Sequence, residues 1–249
     1  MQLMKQKRQL RLAMWSGPRN ISTAMMRSWG SRNDTIVCDE PFYAYFLQQT
    51  QLVHPGAAET IANHETDWRK IVASLTGPIS DSKEIYYQKQ MAHHLVGDVE
   101  LEWLSSVTNC FLIRQPSEMI TSLIKFLPEP TLDDTGLPQQ VEIFELVRDA
   151  HGDPAPVLDA REVLTNPRGI LNRLCKALGL EFTDAMLSWQ PGFRDTDGVW
   201  AKHWYKKIEQ TTSFAPYRAK AEFVPQNLMP LLKQCDELYD YLYQFRLQA

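Results

Sequence analysis

The sequence predicts an α/β fold: a three-layer α/β/α sandwich around a central, mostly parallel sheet of about five strands. Short apolar runs bounded by Gly, Pro, Asn or polar clusters alternate with longer stretches of helical period. That alternation points to a parallel sheet covered on both faces, because parallel neighbours need crossover helices. The chain of 249 residues is long enough for one full-sized core, and no internal repeat, low-complexity tract or linker divides it. A single domain over residues 1–249 is therefore expected.

The first strand is expected at Leu10–Trp15, followed by a helix whose apolar positions are Ile21, Ala24, Met25 and Trp29. The second is expected at Thr35–Asp39, and Ile61, Trp68, Ile71, Val72 and Leu75 then recur with helical spacing. A third run, Ile85–Gln90, precedes a fourth at Cys110–Arg114, after which Met119, Ile120, Leu123 and Ile124 form an apolar helix face. The fifth run is Pro156–Asp159. The helix after it is opened by Asn166-Pro167, carries Leu171, Leu174, Cys175 and Leu178, and is stopped by Gly179. Leu228 to Phe245 repeats Leu231, Leu232, Cys235, Leu238, Tyr239 and Leu242 over too few heptads for a partner zipper, so a docked closing helix is expected. Leu127–Pro138 and Gln190–Gly198 read as loops.

With 44% hydrophobic and 22% charged residues the composition is that of a globular chain and argues against disorder. A formal net charge of -4 offers no broad basic field for nucleic acid, so a polyanionic ligand would need a local cluster of Arg and Lys. Cys38, Cys110, Cys175 and Cys235 lie far apart and read as buried thiols, with no metal-ligand spacing. Lys5, Lys7, Arg8 and Arg11 are not followed by a signal-length apolar stretch, and no run is long enough to span a membrane, so a cytoplasmic protein is expected.

The first strand runs into Ser16-Gly-Pro-Arg-Asn-Ile-Ser-Thr23 and then a helix. A strand, a tight turn and a helix start make a P-loop-like anion site, since the first backbone N–H groups have no partner within the helix. Ser22 and Thr23 add hydroxyls, and Arg19 adds a fixed cation. The nucleoside-triphosphatase pattern starts at Gly17 but fails afterwards, with Ser22 at its second Gly and Thr23 at its Lys. An ordinary βα turn is the alternative. The fourth strand ends in Arg114-Gln-Pro-Ser-Glu-Met-Ile-Thr-Ser122, and Arg114 with Ser122 could converge on one phosphate at the carboxyl edge of the sheet. Here a surface Arg and a packed Ser are the alternative.

Taken together these stretches resemble the sulfotransferases that use 3′-phosphoadenosine-5′-phosphosulfate. Trp15 to Thr23 resembles their 5′-phosphosulfate loop, and Leu112 to Leu123 their 3′-phosphate motif, an Arg with a Ser eight positions on. Val157 to Pro167, leading to Leu174–Leu180, is similar to the strand and helix that follow there, and Thr212-Ser213-Phe214 to a segment near the adenosine. Asp39 to Tyr45, Asn63 to Asp67 and Gln88 to Leu95 are similar to patterns of a sulfotransferase-like branch. The resemblance implies that Gly17, Arg19, Asn20, Ser22 and Thr23 hold the 5′-phosphosulfate, Arg114 and Ser122 the 3′-phosphate, and Thr212 and Ser213 the nucleoside side. It implies no metal. Three positions depart from the family: Arg19 where many members have Lys, Ile21 where they have Gly, and Ala24 where some stack an aromatic on adenine.

Sulfuryl transfer asks for an in-line donor, stabilisation of the leaving phosphate and a base for the acceptor hydroxyl or amine. The acceptor itself, a small molecule, is not legible. By the resemblance His94 is the first candidate base, Glu40 at the end of the second strand the next, and His93 the third. Packing of the histidines and pairing of Glu40 with Arg19 or Lys89 are the structural alternatives, and Lys89 either assists the leaving group or faces solvent. Trp200, Trp204 and Tyr205, with Lys202 and His203, form an aromatic cluster that reads as core packing ahead of an acceptor wall. Asp195 and Asp197 before Gly198 lack the other calcium-loop ligands and read as a turn. Two other functions are open: a sulfotransferase-like binding module without catalysis, and a small-molecule kinase.

Overall fold

Each of the five apolar runs becomes a strand in the computed structural model, which describes residues 9–80, 83–219 and 221–248; Lys5, Lys7 and Arg8 lie outside them. Strand β1 (Leu10–Ser16) leads to helix α1 (Ser22–Gly30), and β2 (Thr35–Asp39) to α2 (Tyr43–Thr50), α3 (Ala57–Asn63) and α4 (Trp68–Thr76). β3 (Ile85–Met91) and β4 (Thr108–Ile113) are followed by α5 (Pro116–Leu123) and α6 (Leu137–His151). β5 (Val157–Asp159), α7 (Ala160–Thr165), α8 (Pro167–Ala177), the short α9 (Ala201–Trp204) and α10 (Met229–Tyr243) complete the order. The sheet has five strands in the order β2-β3-β1-β4-β5, and every pair is parallel.

Both faces of the sheet are buried, as a parallel sheet with crossover helices requires. On β1, Leu12 and Met14 pack with Met25 and Trp29 of α1 and Leu171 and Leu174 of α8. The intervening Ala13 and Trp15 pack with Trp68 and Ile71 of α4, Phe144 of α6 and Tyr239 of α10. Leu231 and Cys235 of α10 also meet Met119 and Ile120 of α5, so the last helix is docked rather than presented to a partner. The four cysteines are free thiols.

Three expectations change. The helical stretch around Ile61 to Leu75 is two helices: the first ends at Asn63, where His64 turns to extended backbone, and Asp67 caps the next by accepting from the Arg69 N–H at 3.0 Å. The loop expected to run to Pro138 gives way at Leu137 to α6, the long helix that the sequence reading lacked. Pro138 sits in that helix's first turn, where a missing N–H costs nothing. Helix α2 was likewise not anticipated. Among the described residues no helix is long and apolar enough to cross a membrane.

Candidate functional site

The strand order reverses direction around β1: its neighbours β3 and β4 lie on opposite sides, and the chain leaves β1 for the far edge strand β2. Ligands of open α/β sheets bind outside the carboxyl ends of strands at such a switch point. The turn after β1 opens there. Arg19 and Ile21 both have left-handed backbone, with φ of 63° and 58°. Successive peptides bent in this way turn their N–H groups into one concavity, the geometry that receives anions. Ile21 is the N-cap of α1 and has no side-chain acceptor, so no side chain caps the first turn. A branched residue in this region is strained by about 1–3 kcal/mol. Thus Ile21 holds a backbone form that favours glycine.

The turn has little room to relax. A Cβ on Gly17 would lie 2.1 Å from the Thr135 carbonyl oxygen, so only glycine fits beneath the segment that precedes α6. Asn20 is buried and its amide donates to the Leu112 carbonyl at 3.2 Å, tying the turn to β4. The Asn20 amide nitrogen thus serves as an anchor of the turn. Ser22 is buried at the helix start and Thr23 is half-buried beside it.

Arg114, at the end of β4, joins this turn. Its Nη1 donates to the Arg19 carbonyl at 2.7 Å, and Arg19 Nε donates to Ser122 Oγ of α5 at 3.0 Å. Burial, and then the charge of Arg114, pull Arg19 below its ordinary value. Arg114 also pairs with Glu118, one turn into α5, at 3.0 Å, and Tyr217 donates to the same carboxylate at 2.7 Å. The (i, i+4) spacing of Arg114 and Glu118 was readable in the sequence; Tyr217 was not, since it arrives from a segment about a hundred residues on. Thr212 and Ser213 are exposed on that segment, which is held by the Trp189 N–H on the Thr212 carbonyl at 2.8 Å and an antiparallel bridge between Ser188 and Ser213. The side-chain hydrogen bonds of Arg19 and Arg114 go to Ser122, Glu118 and the Arg19 carbonyl, and none goes to either residue among the described residues.

A second polar group lies at the ends of the neighbouring strand β3 and of β2 beyond it. Lys89 of β3 is fully buried, and its Nζ reaches Asp39 Oδ1 at 3.0 Å, Glu40 Oε1 at 2.5 Å and the Tyr205 hydroxyl at 2.6 Å. Lys89 therefore does not face solvent. All three of its donors have acceptors, and Glu40 pairs with Lys89 and not with Arg19. Burial alone would lower Lys89, but the charges of Asp39 and Glu40 hold it well above its ordinary value. Glu40 has φ 42° and a raised pKa, from burial first and from Asp39 after the opposing charge of Lys89. Tyr205 is packed in the core as expected, and its hydroxyl also donates to Asp39, 2.8 Å from each carboxylate oxygen. Trp200 is buried beside Tyr43, as expected.

His94 is buried between the rings of Tyr43 and Phe46, with centroids at 5.0 and 4.7 Å. His93 sits against it at 4.5 Å. Burial lowers His93 to about 4, and burial followed by the charges of His93 and Lys89 lowers His94 well below its ordinary value. Both are neutral imidazoles at neutral pH. A group with a lowered folded pKa stabilises above its unfolded value and loses that stability as the pH falls. Stability should therefore decline between 6.5 and about 4, and less so in a His93→Gln variant. Urea midpoints of the two proteins across that range measure the difference.

Other groups stand apart. Asp197 pairs bidentately with Arg27 of α1 at 2.5 and 2.6 Å, both buried, so it is a structural ion pair as well as a turn residue. Among the described residues no group of three or more His, Cys, Asp or Glu is arranged to hold a metal. A cavity of about 390 Å³ follows the outer edge of β2, lined by Cys38, Asp39, His64, Tyr86 and the 195–198 turn; neither Arg19 nor Arg114 lines it.

Comparison with known proteins is consistent with this geometry. A family model described as a sulfotransferase domain matches residues 10–234. Branched-chain-amino-acid aminotransferase-like protein 1 of Arabidopsis thaliana is 33% identical over 228 residues, which is 92% of this chain and 40% of that protein. Protein 2 of the same name and plant is 32% identical over 229 residues, again 92% and 40%. The chain thus spans 40% of the length of these curated relatives. The sulfotransferase domain of the Synechococcus PCC 7002 olefin synthase superposes with a TM-score of 0.60 at 14% identity, over 97% of this chain and 99% of that one. The sulfotransferase domain of the curacin biosynthetic pathway gives 0.51 at 13% identity, over 94% and 98%. At these identities the two structures speak for the fold.

Proposed function

The chain belongs to the sulfotransferase domain family, and from that premise we propose that it transfers a sulfuryl group from 3′-phosphoadenosine-5′-phosphosulfate to a hydroxyl of a small-molecule acceptor. One observation carries the reading. The turn after β1 and the turn after β4 are joined through Arg114 to the Arg19 carbonyl and Arg19 to Ser122, at 2.7 and 3.0 Å. Two cations at one switch point, beside an uncapped helix start, suit a ligand with two phosphate groups. In this reading Arg19, Ser22, Thr23 and the first N–H groups of α1 hold the 5′-phosphosulfate. Arg114 and Ser122 hold the 3′-phosphate, with Glu118 exchanging Arg114 for the ligand.

The acceptor oxygen forms its bond to sulfur as the bridging O–S bond breaks, and that electron pair stays on the departing 5′-phosphate. Arg19 and the helix start offset the charge that develops there. The acceptor proton passes to a base. The surroundings favour Glu40 over His94, reversing the order expected from sequence. A base must end the step protonated, and burial among rings opposes an imidazolium at His94, whereas burial raises Glu40. The aminotransferase-like name of the relatives finds no support in Lys89, whose amine is held as a buried cation by two carboxylates rather than free for imine formation.

Isothermal titration with adenosine 3′,5′-bisphosphate tests the proposal, with binding expected in the micromolar range. No heat at millimolar ligand overturns it. Magnesium-dependent ATP binding in its place would favour the kinase reading, which the Thr23 in the lysine position speaks against.

A further inference from the structure

Asp39, Glu40, Lys89 and Tyr205 form a closed circuit drawn from three parts of the chain. Lys89 Nζ donates to both carboxylates and to the Tyr205 oxygen, and the Tyr205 hydroxyl donates back to Asp39. The two carboxylates are not equivalent. Asp39 is buried and receives the Tyr205 hydroxyl on both oxygens, Lys89 on one, and a long contact from the Gly198 N–H at 3.4 Å. Glu40 receives the Lys89 contact alone among the described residues, and its side chain keeps a window of 14% exposure. One cation thus faces two anions. The anion with the better hydrogen-bond shell is the one that stays charged, so the surplus proton affinity falls on the other.

We propose that Tyr205 is a positioning residue for Glu40, acting through Asp39 and Lys89: by holding Asp39 as the counter-ion of the buried lysine, its hydroxyl leaves Glu40 as the carboxylate able to take a proton. This rests on the reading of Glu40 as acceptor base. Every group facing the circuit fits the assignment. Tyr87, on β3 with Lys89, and Tyr43 of α2 are neutral phenols pushed up by burial. His94, on the turn after β3, is neutral, and His64 at the end of α3 is lowered by burial against the pull of Asp39. Tyr205 itself is held well above its ordinary value by burial and Asp39, so it donates and does not ionise. The ring of Tyr205 also lies 5.0 Å from Lys89 Nζ, so phenylalanine can keep the packing while removing only the hydroxyl.

The test is a carboxyl-carbon NMR titration of protein labelled at glutamate, with the Glu40 signal assigned by its loss in Glu40→Gln. In Tyr205→Phe, Asp39 loses its donor and takes a proton sooner as the pH falls. Its charge then disappears from beside Glu40, and Lys89 turns to Glu40. The Glu40 midpoint should drop by about one pH unit, a tenfold change in acidity. Asp39→Asn breaks the same path from the other side and should shift the midpoint the same way, which keeps the inference testable if the first variant does not fold. A merely structural tyrosine would lower stability and leave the midpoint where it was, and that result overturns the inference. The titration needs neither donor nor acceptor. Absence of bisphosphate binding would therefore remove the parent reading of this site while leaving the measured coupling of Tyr205 to Glu40 intact.

Discussion

Replacing Lys89 with methionine is expected to lower the free energy of unfolding by about 3–5 kcal/mol, the cost of leaving buried carboxylates without their cation. The side chain and that of Asp39 are each 1% exposed, so water cannot replace the lost partner. Methionine keeps most of the volume, which separates the electrostatic loss from a cavity. The pH dependence has a definite sign. In the variant Glu40 keeps the burial that raises it and loses the opposing charge of Lys89, and a group with a raised folded pKa contributes stability below its unfolded value and loses it as the pH rises. The defect should be small near pH 4 and full at neutral pH. Lys89 in the native protein is held above its ordinary value, so its own contribution is complete at neutral pH and is lost only as the pH rises through the alkaline range. Denaturant unfolding at both pH values measures this, and a variant that also carries Asp39→Asn and Glu40→Gln should recover most of the loss. A defect that is equal at pH 4 and pH 7 would mean that the pair of carboxylates is not charged in the fold.

Arg114→Ala should weaken adenosine 3′,5′-bisphosphate by about 30- to 4000-fold, the range that truncating one partner of a close charge pair gives at about 2–5 kcal/mol. The residue pairs with Glu118 and also holds the turn through the Arg19 carbonyl, so affinity alone does not separate ligand binding from turn shape. Adenosine 5′-monophosphate does, because it lacks the 3′-phosphate. The native protein should prefer the bisphosphate strongly, and Arg114→Ala should lose that preference while changing monophosphate binding much less. Equal losses for both ligands would assign Arg114 to the shape of the turn. Arg114→Lys should restore only part of the preference, since the ammonium cannot contact the Arg19 carbonyl and a phosphate with one planar fork. Competition calorimetry with the two nucleotides reads all three comparisons.

The amino-acid sequence by itself determined the five strands, their parallel arrangement and the strand–turn–helix after the first of them, because these follow from local rules. Apolar runs of strand length separated by helical periods admit few packings, and the strand–turn–helix around Gly17 exposes backbone donors wherever it occurs. The placing of Arg114 and Ser122 beside that turn was legible for the same reason, since one strand end and one helix carry both, but the structure joins Ser122 to Arg19 and Arg114 to Glu118 and the Arg19 carbonyl. Helix α6 was missed because Pro138 reads as a break until its place in the first turn is known. Only the tertiary structure decided the rest. That Asn20 faces β4, that Tyr217 comes to Glu118, and that Tyr205 completes the circuit of Lys89 all depend on contacts between residues 92 to 116 positions apart. Burial then set the chemistry: it withdrew His94 among aromatic rings and gave Glu40 a lysine and a raised affinity for protons. A side chain's charge state is a property of what surrounds it in space, and sequence neighbours supply only a small part of those surroundings.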